Sequence, residues 1–283
     1  MIRISFKGRL GNQMFQYALM QAYKKKGIKT VPELSFYEGH EEQFELSKVF
    51  SSIDDKTFML NKKRGFVKRI TDDFWFHYYN KTGRRYDEQQ NGVFDKNILN
   101  IKNGNVIGYW QSEKYFIDIE DDIREIFKFK IYDANVLEIG EKLKNEQNSV
   151  AIHVRRSDYL NDSKLGGVCT LSYYNNAIAY IREKLEDAKF YIFSDDIEWC
   201  EQNFSNSDVF YLKLNSIKNY QNWYDMYLMS CCQHSIIANS TFSWWSAWIN
   251  NAPHKIVVAP DRWAQNEERP DIYCNGWIKI SGK

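Results

Sequence analysis

Residues 149–158 read SVAIHVRRSD, and this stretch decides the fold. An apolar, β-rich run ends in a histidine, two arginines and an aspartate. A strand over 149–155 that is apolar on both faces suits the interior of a parallel sheet. Alternation along it puts Ala151, His153 and Arg155 on one side. Downstream, helical spacing at Tyr174, Ile178, Ile181 and Leu185 predicts a helix over 171–186. A strand over 190–193 follows and ends in Ser194-Asp195-Asp196. The rhythm continues with a helix at 197–204, a strand at 209–212 and a helix at 220–232. A strand at 235–238, a helix at 242–249 and a strand at 256–259 complete it. Short strands alternating with helices predict a doubly wound α/β domain with a parallel sheet.

Upstream, a strand over 2–6, a loop with Gly8 and Gly11 and a helix over 13–26 start a second α/β region, while 40–110 looks irregular. The 283 residues fit two domains. The polar run 142–148 suggests a division into 1–145 and 146–283.

Hydrophobic residues make up 43% and charged residues 27%, an ordinary globular composition that excludes disordered, collagenous and coiled-coil classes. A net charge of +1 speaks against a general nucleic-acid-coating protein. The balance hides an asymmetry: residues 1–110 carry a net +7 and the remainder a net −6. The basic excess gathers in Lys62, Lys63, Arg64, Lys68 and Arg69, beside Phe74, Trp75 and Phe76. The segment 62–76 is either a solvated basic loop with its rings in the core or a peripheral contact with an anionic membrane surface. No stretch approaches the ~18–20 apolar residues of a membrane helix, and no signal peptide is visible at the start. The five cysteines are odd in number, two are adjacent and none forms C-x-x-C, so neither a disulfide framework nor a zinc site is expected. These readings point to the cytoplasm, with the inner membrane surface as a further option. Aromatic residues reach 16%, nine of them Trp, which serves core packing or the stacking of sugar rings.

Three polar clusters fall where ligands sit in open α/β sheets, beyond the carboxyl ends of strands. The first is His153 to Asp158. Arg155 and Arg156 fit an anion, because a guanidinium presents a planar fork of donors to phosphate oxygens, or they pair with Asp158. The second, Ser194-Asp195-Asp196, binds ribose hydroxyls or caps the next helix. The third, Asn239-Ser240-Thr241-Phe242-Ser243, starts a helix whose free N–H groups and dipole favour an anion, or simply caps it. Trp244 and Trp248, four apart, read as packing. Together the clusters describe a diphosphate-nucleotide site. The P-loop pattern is missing, and so is D-x-D, so no metal and no cofactor is expected and the arginines and helix dipole take that part.

The strings GRLGNQMFQYA (8–18), HVRRSDY (153–159), FSDD (193–196) and NSTFSWWSAW (239–248) resemble the bacterial α-1,2-fucosyltransferases of glycosyltransferase family 11. The resemblance implies a GT-B-like fold of two Rossmann-like domains facing a cleft, the first binding the acceptor and the second GDP-fucose. It implies metal-independent, inverting transfer of L-fucose from GDP-β-L-fucose to the 2-hydroxyl of a terminal galactose. The acceptor would be an oligosaccharide or a lipid-linked glycan. It gives Arg155 the donor's β-phosphate, His153 the guanosine, Asp225 the guanine edge, and Asn12 beside Gly11 the fucose. Asp225 otherwise reads as an exposed helix carboxylate, and Asp158 as either the general base or an orienter of Arg155. Family members carry Gly where this chain has Ser157, which matters only if the position needs a positive φ. A related transferase with another GDP-sugar or linkage is the alternative, as is a non-catalytic glycan-binding protein, although a lectin needs no diphosphate cradle.

Overall fold

In the computed structural model, a sheet of four parallel strands, β1 (Ile2–Ser5), β2 (Thr30–Glu33), β3 (Arg85–Asp87) and β4 (Gly104–Ile107), runs in the order β2-β1-β4-β3. The structure describes residues 1–38, 43–58, 74, 75, 77–212, 214, 217 and 220–282. The basic run at 62–69 and Phe76, part of the expected membrane contact, therefore lie outside the described residues.

The chain divides into Met1–Lys130 with Pro270–Ile272 and Ile131–Arg269 with Tyr273–Lys283. In the first unit, β1 leads through Gly8 into helix α1 (Leu10–Lys25). Gly8 has φ +77°, and a Cβ there would come within 2.6 Å of Asn12 Nδ2, so this turn requires glycine. Helix α1 is buried on most of its surface, from Leu10 to Tyr23. The irregular middle of the sequence supplies the unit's other strands, β3 and β4, and an aromatic cluster in which Phe44 lies 4.3 Å from Phe58 and 5.7 Å from Phe6 between ring centroids.

The division falls fifteen residues before the one read from the sequence, and the reason is helix α2 (Ala134–Asn145). Asp133 caps it by accepting from the N–H groups of Asn135 and Val136. Its buried stripe, Val136, Gly140 and Leu143, packs on the second unit. Gly140 allows that approach, since a Cβ would stand 2.7 Å from the Tyr227 hydroxyl.

The second unit contains β5 (Ser149–Val154), α3 (Leu171–Lys184), β6 (Lys189–Ser194), α4 (Ile197–Asn203) and β7 (Val209–Tyr211). It continues with α5 (Trp223–Cys231), β8 (His234–Ile236), α6 (Thr241–Ile249), β9 (Val257–Pro260) and β10 (Ile278–Ile280). The sheet is parallel throughout, in the order β10-β9-β8-β5-β6-β7. Numbered within the unit, this is the 3-2-1-4-5-6 order of a Rossmann sheet, with the reversal between β5 and β8. Both units thus have the open parallel sheets of a GT-B-like α/β chain. As the central strand, β5 is buried at every position. Trp244 and Trp248 are buried on α6, as their spacing suggested, and so is Trp245. Each such side chain contributes on the order of 1.5–3 kcal/mol through removal from water. All five cysteines are free, and among the described residues no helix is long and apolar enough to cross a membrane.

Candidate functional site

The three polar clusters all leave the carboxyl edge of the second unit's sheet, His153–Asp158 from β5, Ser194–Asp196 from β6 and Asn239–Ser243 after β8. They flank the reversal between β5 and β8, where the backbones of successive elements diverge and leave a crevice.

Arg155 follows β5 and is held on two sides. Its Nη1 lies 3.0 Å from Asp195 Oδ2 and its Nη2 lies 2.7 Å from Asp158 Oδ1. Tyr159, with its ring centroid 5.8 Å from the guanidinium carbon, sits beside it. Burial works against the charge, and the two carboxylates outweigh it and hold the guanidinium protonated. A guanidinium has five N–H donors, so donors remain for a ligand after these two contacts.

Arg156 is engaged differently. Its backbone N–H donates to Asp195 Oδ1 (2.9 Å), its Nε donates to Asp196 Oδ2 (3.0 Å), and its guanidinium lies 4.0 Å over the Trp199 ring. Asp196 also caps α4, accepting from the Trp199 N–H at 3.2 Å, while Ser194 Oγ accepts from the Asp196 N–H at 3.0 Å. The capping reading of this cluster is what the structure displays. Two arginines here meet three carboxylates, so the cluster has no surplus positive charge. It holds directed donors instead.

Ser157 begins the short helical turn Asp158–Asn161 at φ −34°, so glycine is not required and the departure at this position has no backbone consequence.

At the third cluster, Ser240 caps α6, its Oγ accepting from the Phe242 N–H at 3.3 Å. Thr241 and Phe242 remain partly exposed at the helix start. Asn239 and Ser243 have a different task from the ligand contact expected of them. Asn239 is buried and donates through Nδ2 to the carbonyls of Leu165 and Trp263, both at 3.0 Å. Ser243 Oγ is buried and reaches the carbonyls of Ala238 (3.3 Å) and Ser240 (3.2 Å). These side chains fasten the strand-to-helix turn.

His153 is buried, and burial together with neighbouring Arg155 pushes it down to about 4, so it is neutral near pH 7. Its Nδ1 has no hydrogen-bond partner, and its ring lies 5.8 Å from that of Phe242.

Asp225 sits in the first turn of α5, the helix that follows β7, and so on the same carboxyl edge of the sheet. Burial pushes it up to about 6, against a hydrogen bond from Tyr220. Its Oδ1 is buried without a partner. An exposed helix carboxylate would show neither property.

Asn12 and Gly11 stand in the other unit, at the start of α1, where Asn12 Oδ1 accepts from Gln111 Nε2 at 2.9 Å. Sequence reading singled out none of Tyr159, Trp199, Tyr220 or Gln111. Tyr159 closes the string HVRRSDY, and its hydroxyl donates to the Asn239 carbonyl at 3.3 Å. Burial pushes that hydroxyl up to about 12. Among the described residues, no group of three or more His, Cys, Asp or Glu is placed to hold a metal ion.

The model of glycosyl transferase family 11 matches residues 1–281. An alpha-1,2-colitosyltransferase of Escherichia coli is 35% identical, with 96% of each chain covered. The O-antigen biosynthesis glycosyltransferase WbnK of Escherichia coli is 31% identical over 96% of this chain and 98% of its own. Among solved structures, an Arabidopsis thaliana FUT1 variant in complex with GDP is similar with a TM-score of 0.47 at 11% identity, covering 95% of this chain and 72% of that one.

Proposed function

Given that the chain belongs to glycosyl transferase family 11, we propose that it transfers L-fucose from GDP-β-L-fucose to the 2-hydroxyl of a terminal galactose on a glycan, with inversion and without a metal. The carboxyl edge of the second unit is the donor site in this reading, and the first unit binds the acceptor. The acceptor is a galactose-terminated oligosaccharide or a lipid-linked glycan, in keeping with the O-antigen glycosyltransferase among the relatives.

One observation carries the reading. Arg155 and the start of α6 converge on the crevice of a Rossmann sheet, while a buried carboxylate with an unpaired oxygen, Asp225, waits on the same edge. A nucleoside diphosphate uses both ends of such a site. Its phosphates take guanidinium and helix N–H donors. Its base must offer donors to a carboxylate, which guanine does through N1–H and the 2-amino group.

As the glycosidic bond breaks, negative charge grows on the leaving diphosphate, and donors already aimed at it stabilise the transition state. Arg155 and the Thr241 N–H at the start of α6 fill that role, the Phe242 N–H being taken by the Ser240 cap. Asp158, ion-paired with Arg155 at 2.7 Å, orients it. His153, neutral and buried, packs beside Phe242 against the nucleoside.

A second donor is favoured by the colitosyltransferase relative. Colitose is fucose without its 3-hydroxyl, so the two GDP-sugars present the same nucleotide and differ at one sugar position. The test is a panel of β-galactoside-terminated acceptors with GDP-fucose and GDP-colitose, followed by NMR linkage analysis of the product. A new α-1,2 fucosyl linkage is the expected product. Colitose transfer with no fucose transfer replaces the donor, and transfer of neither overturns the proposal.

A further inference from the structure

The first unit carries a group of polar side chains, Asn12 among them, apart from the nucleotide site proposed in the second unit. Its sheet runs β2-β1-β4-β3, so its reversal lies between β1 and β4, and the loops leaving those two strands flank it. One loop leads into α1 and Asn12, and the other is Gly108-Tyr109-Trp110-Gln111. The hydrogen bond from Gln111 Nε2 to Asn12 Oδ1, 2.9 Å long, ties the two together.

The second loop is held tightly in place. Glu88 accepts from the backbone N–H of Tyr109 through Oε2 (2.7 Å) and from that of Trp110 through Oε1 (3.0 Å). Trp110 adopts φ 57°, a left-handed conformation that a bulky residue takes only at a cost. Its indole lies against Gly108, where a Cβ would come within 2.8 Å of Trp110 Cε2. This construction delivers one donor and one acceptor from adjacent residues. Trp110 Nε1 and Gln111 Oε1 are both buried, and neither has a hydrogen-bond partner. Buried polar groups in folded proteins are nearly always paired. Two left open beside a switch point, with backbone strain spent on placing them, call for a partner that both accepts and donates. A hydroxyl does both, and a pyranose presents several in fixed relative positions. Asn12 is half-buried and bonded to Gln111, so a ring docking there extends the chain of hydrogen bonds to the other two groups.

We infer that Asn12, Trp110 and Gln111 form a hydroxyl-reading site for a neutral sugar ring. The identity of the sugar rests on the transferase reading above: it is either the acceptor's terminal residue or the sugar being transferred. Gln111→Met and Trp110→Phe test it in the full chain: the first keeps the length and removes the amide, including its hydrogen bond to Asn12, and the second removes the indole N–H together with part of the ring. GDP affinity, measured by calorimetry, should stay within about twofold of the parent's because the proposed nucleotide site lies in the other unit, while the melting temperature falls, since Trp110 is buried and Gln111 ties the two loops. If the ring is the acceptor's, KM for the acceptor rises about tenfold or more and KM for GDP-fucose does not move. If it is the transferred sugar, KM for GDP-fucose rises about as much while GDP affinity is unchanged. Either result supports the site. Unchanged KM values in folded variants overturn it, as does a KM rise that tracks a loss of GDP affinity. Should Gln111→Met fail to fold, Trp110→Phe decides alone. Should the parent not bind GDP, the transferase reading fails separately. Saturation-transfer NMR with methyl β-D-galactopyranoside and L-fucose then reads the site without turnover. A signal in the parent that is lost in both variants supports the inference, and no difference between them sinks it.

Discussion

The Arg155 guanidinium and the Asp195 carboxylate meet at 3.0 Å across the ends of two neighbouring strands, and the other oxygen of Asp195 accepts the N–H of Arg156 at 2.9 Å. One carboxylate thereby fixes the direction of the Arg155 side chain and the backbone of the residue beside it. Preorganised donors act on a transition state without moving, and in the proposed transfer Asp195 supplies that rigidity.

Arg155→Ala should lower transfer by about 10²–10³-fold or more while the melting temperature stays near that of the parent, because the contact matters most as the diphosphate leaves. Arg155→Lys should restore little, since a point charge does not reproduce the fork. Arg156→Ala should be milder, because its guanidinium is already occupied by Asp196 and Trp199. Steady-state kinetics on the three variants checks the order, and an Arg155→Ala rate within a few-fold of the parent removes Arg155 from the mechanism.

Asp158→Asn separates two roles for the acid of the motif. A carboxylate pinned to Arg155 at 2.7 Å orients the guanidinium, and it competes with phosphate for the same donors. The expected outcome is tighter GDP binding and a loss in kcat of less than about 10²-fold, the lower end of what removal of a general base costs. A larger loss in kcat with unchanged GDP affinity identifies Asp158 as the base.

Much of the second unit was legible in the sequence because its strands are short apolar runs that end in charged or hydroxylated residues. The helix and strand limits around SVAIHVRRSD match within about three residues. The first unit was not legible beyond β1 and α1. Strands β2 and β3 are only half-buried, and β3 has three residues, too few for alternation to register. Helix α2 was hidden in a polar run because its buried stripe needs only Val136, Gly140 and Leu143. At the site, residue types announced the arginines and the cap. They did not reveal that Asn239 and Ser243 are spent on backbone carbonyls, because hydroxyls and amides serve a turn and a ligand equally well. The unpaired atoms of Trp110 and Gln111 have no sequence signature.

Transfer should persist in excess EDTA if guanidinium and helix donors neutralise the leaving diphosphate. Loss of activity that Mn²⁺ or Mg²⁺ restores would reassign that neutralisation to an ion. Mild stimulation by Mg²⁺ is compatible with the proposal, since the ion sequesters released GDP.

The basic segment remains a proposal drawn from its chemistry. Lys62, Lys63, Arg64, Lys68 and Arg69 precede Phe74, a residue 59% exposed, and a cation near an anionic leaflet is worth about 1 kcal/mol. Vesicle co-sedimentation should show binding that requires anionic lipid, falls steeply with salt and disappears when the five become Gln. Equal pelleting with neutral and anionic vesicles leaves the segment without that role.

Asp225 gives the sharpest pH test. Burial, against the Tyr220 hydrogen bond, raises its carboxyl from 3.8 to about 6. The folded protein therefore holds this proton more tightly than the unfolded chain does. The resulting stabilisation is fully present below the unfolded value and is lost as the pH rises through about 6. Guanine binding has the opposite demand, because a carboxylate that accepts two hydrogen bonds from the base must be ionised. GDP affinity should thus climb as the pH rises through about 6 and then level off, while this group's contribution to the stability of the ligand-free protein declines over the same interval. Asp225→Asn should abolish the stability trend and leave only the part of the affinity trend that comes from GDP's own terminal phosphate, whose second ionisation also lies at about 6. An amide has one acceptor oxygen and brings donors of its own, so GDP should bind about 1–3 kcal/mol more weakly near neutral pH. The variant's ligand-free melting temperature there should exceed the parent's, because an ionised buried carboxylate has been removed. The preference for GDP over ADP should shrink as well. Calorimetry with both nucleotides on either side of that pH, paired with thermal melts, measures all of this. A parent whose GDP affinity is flat across the range returns Asp225 to an ordinary helix carboxylate.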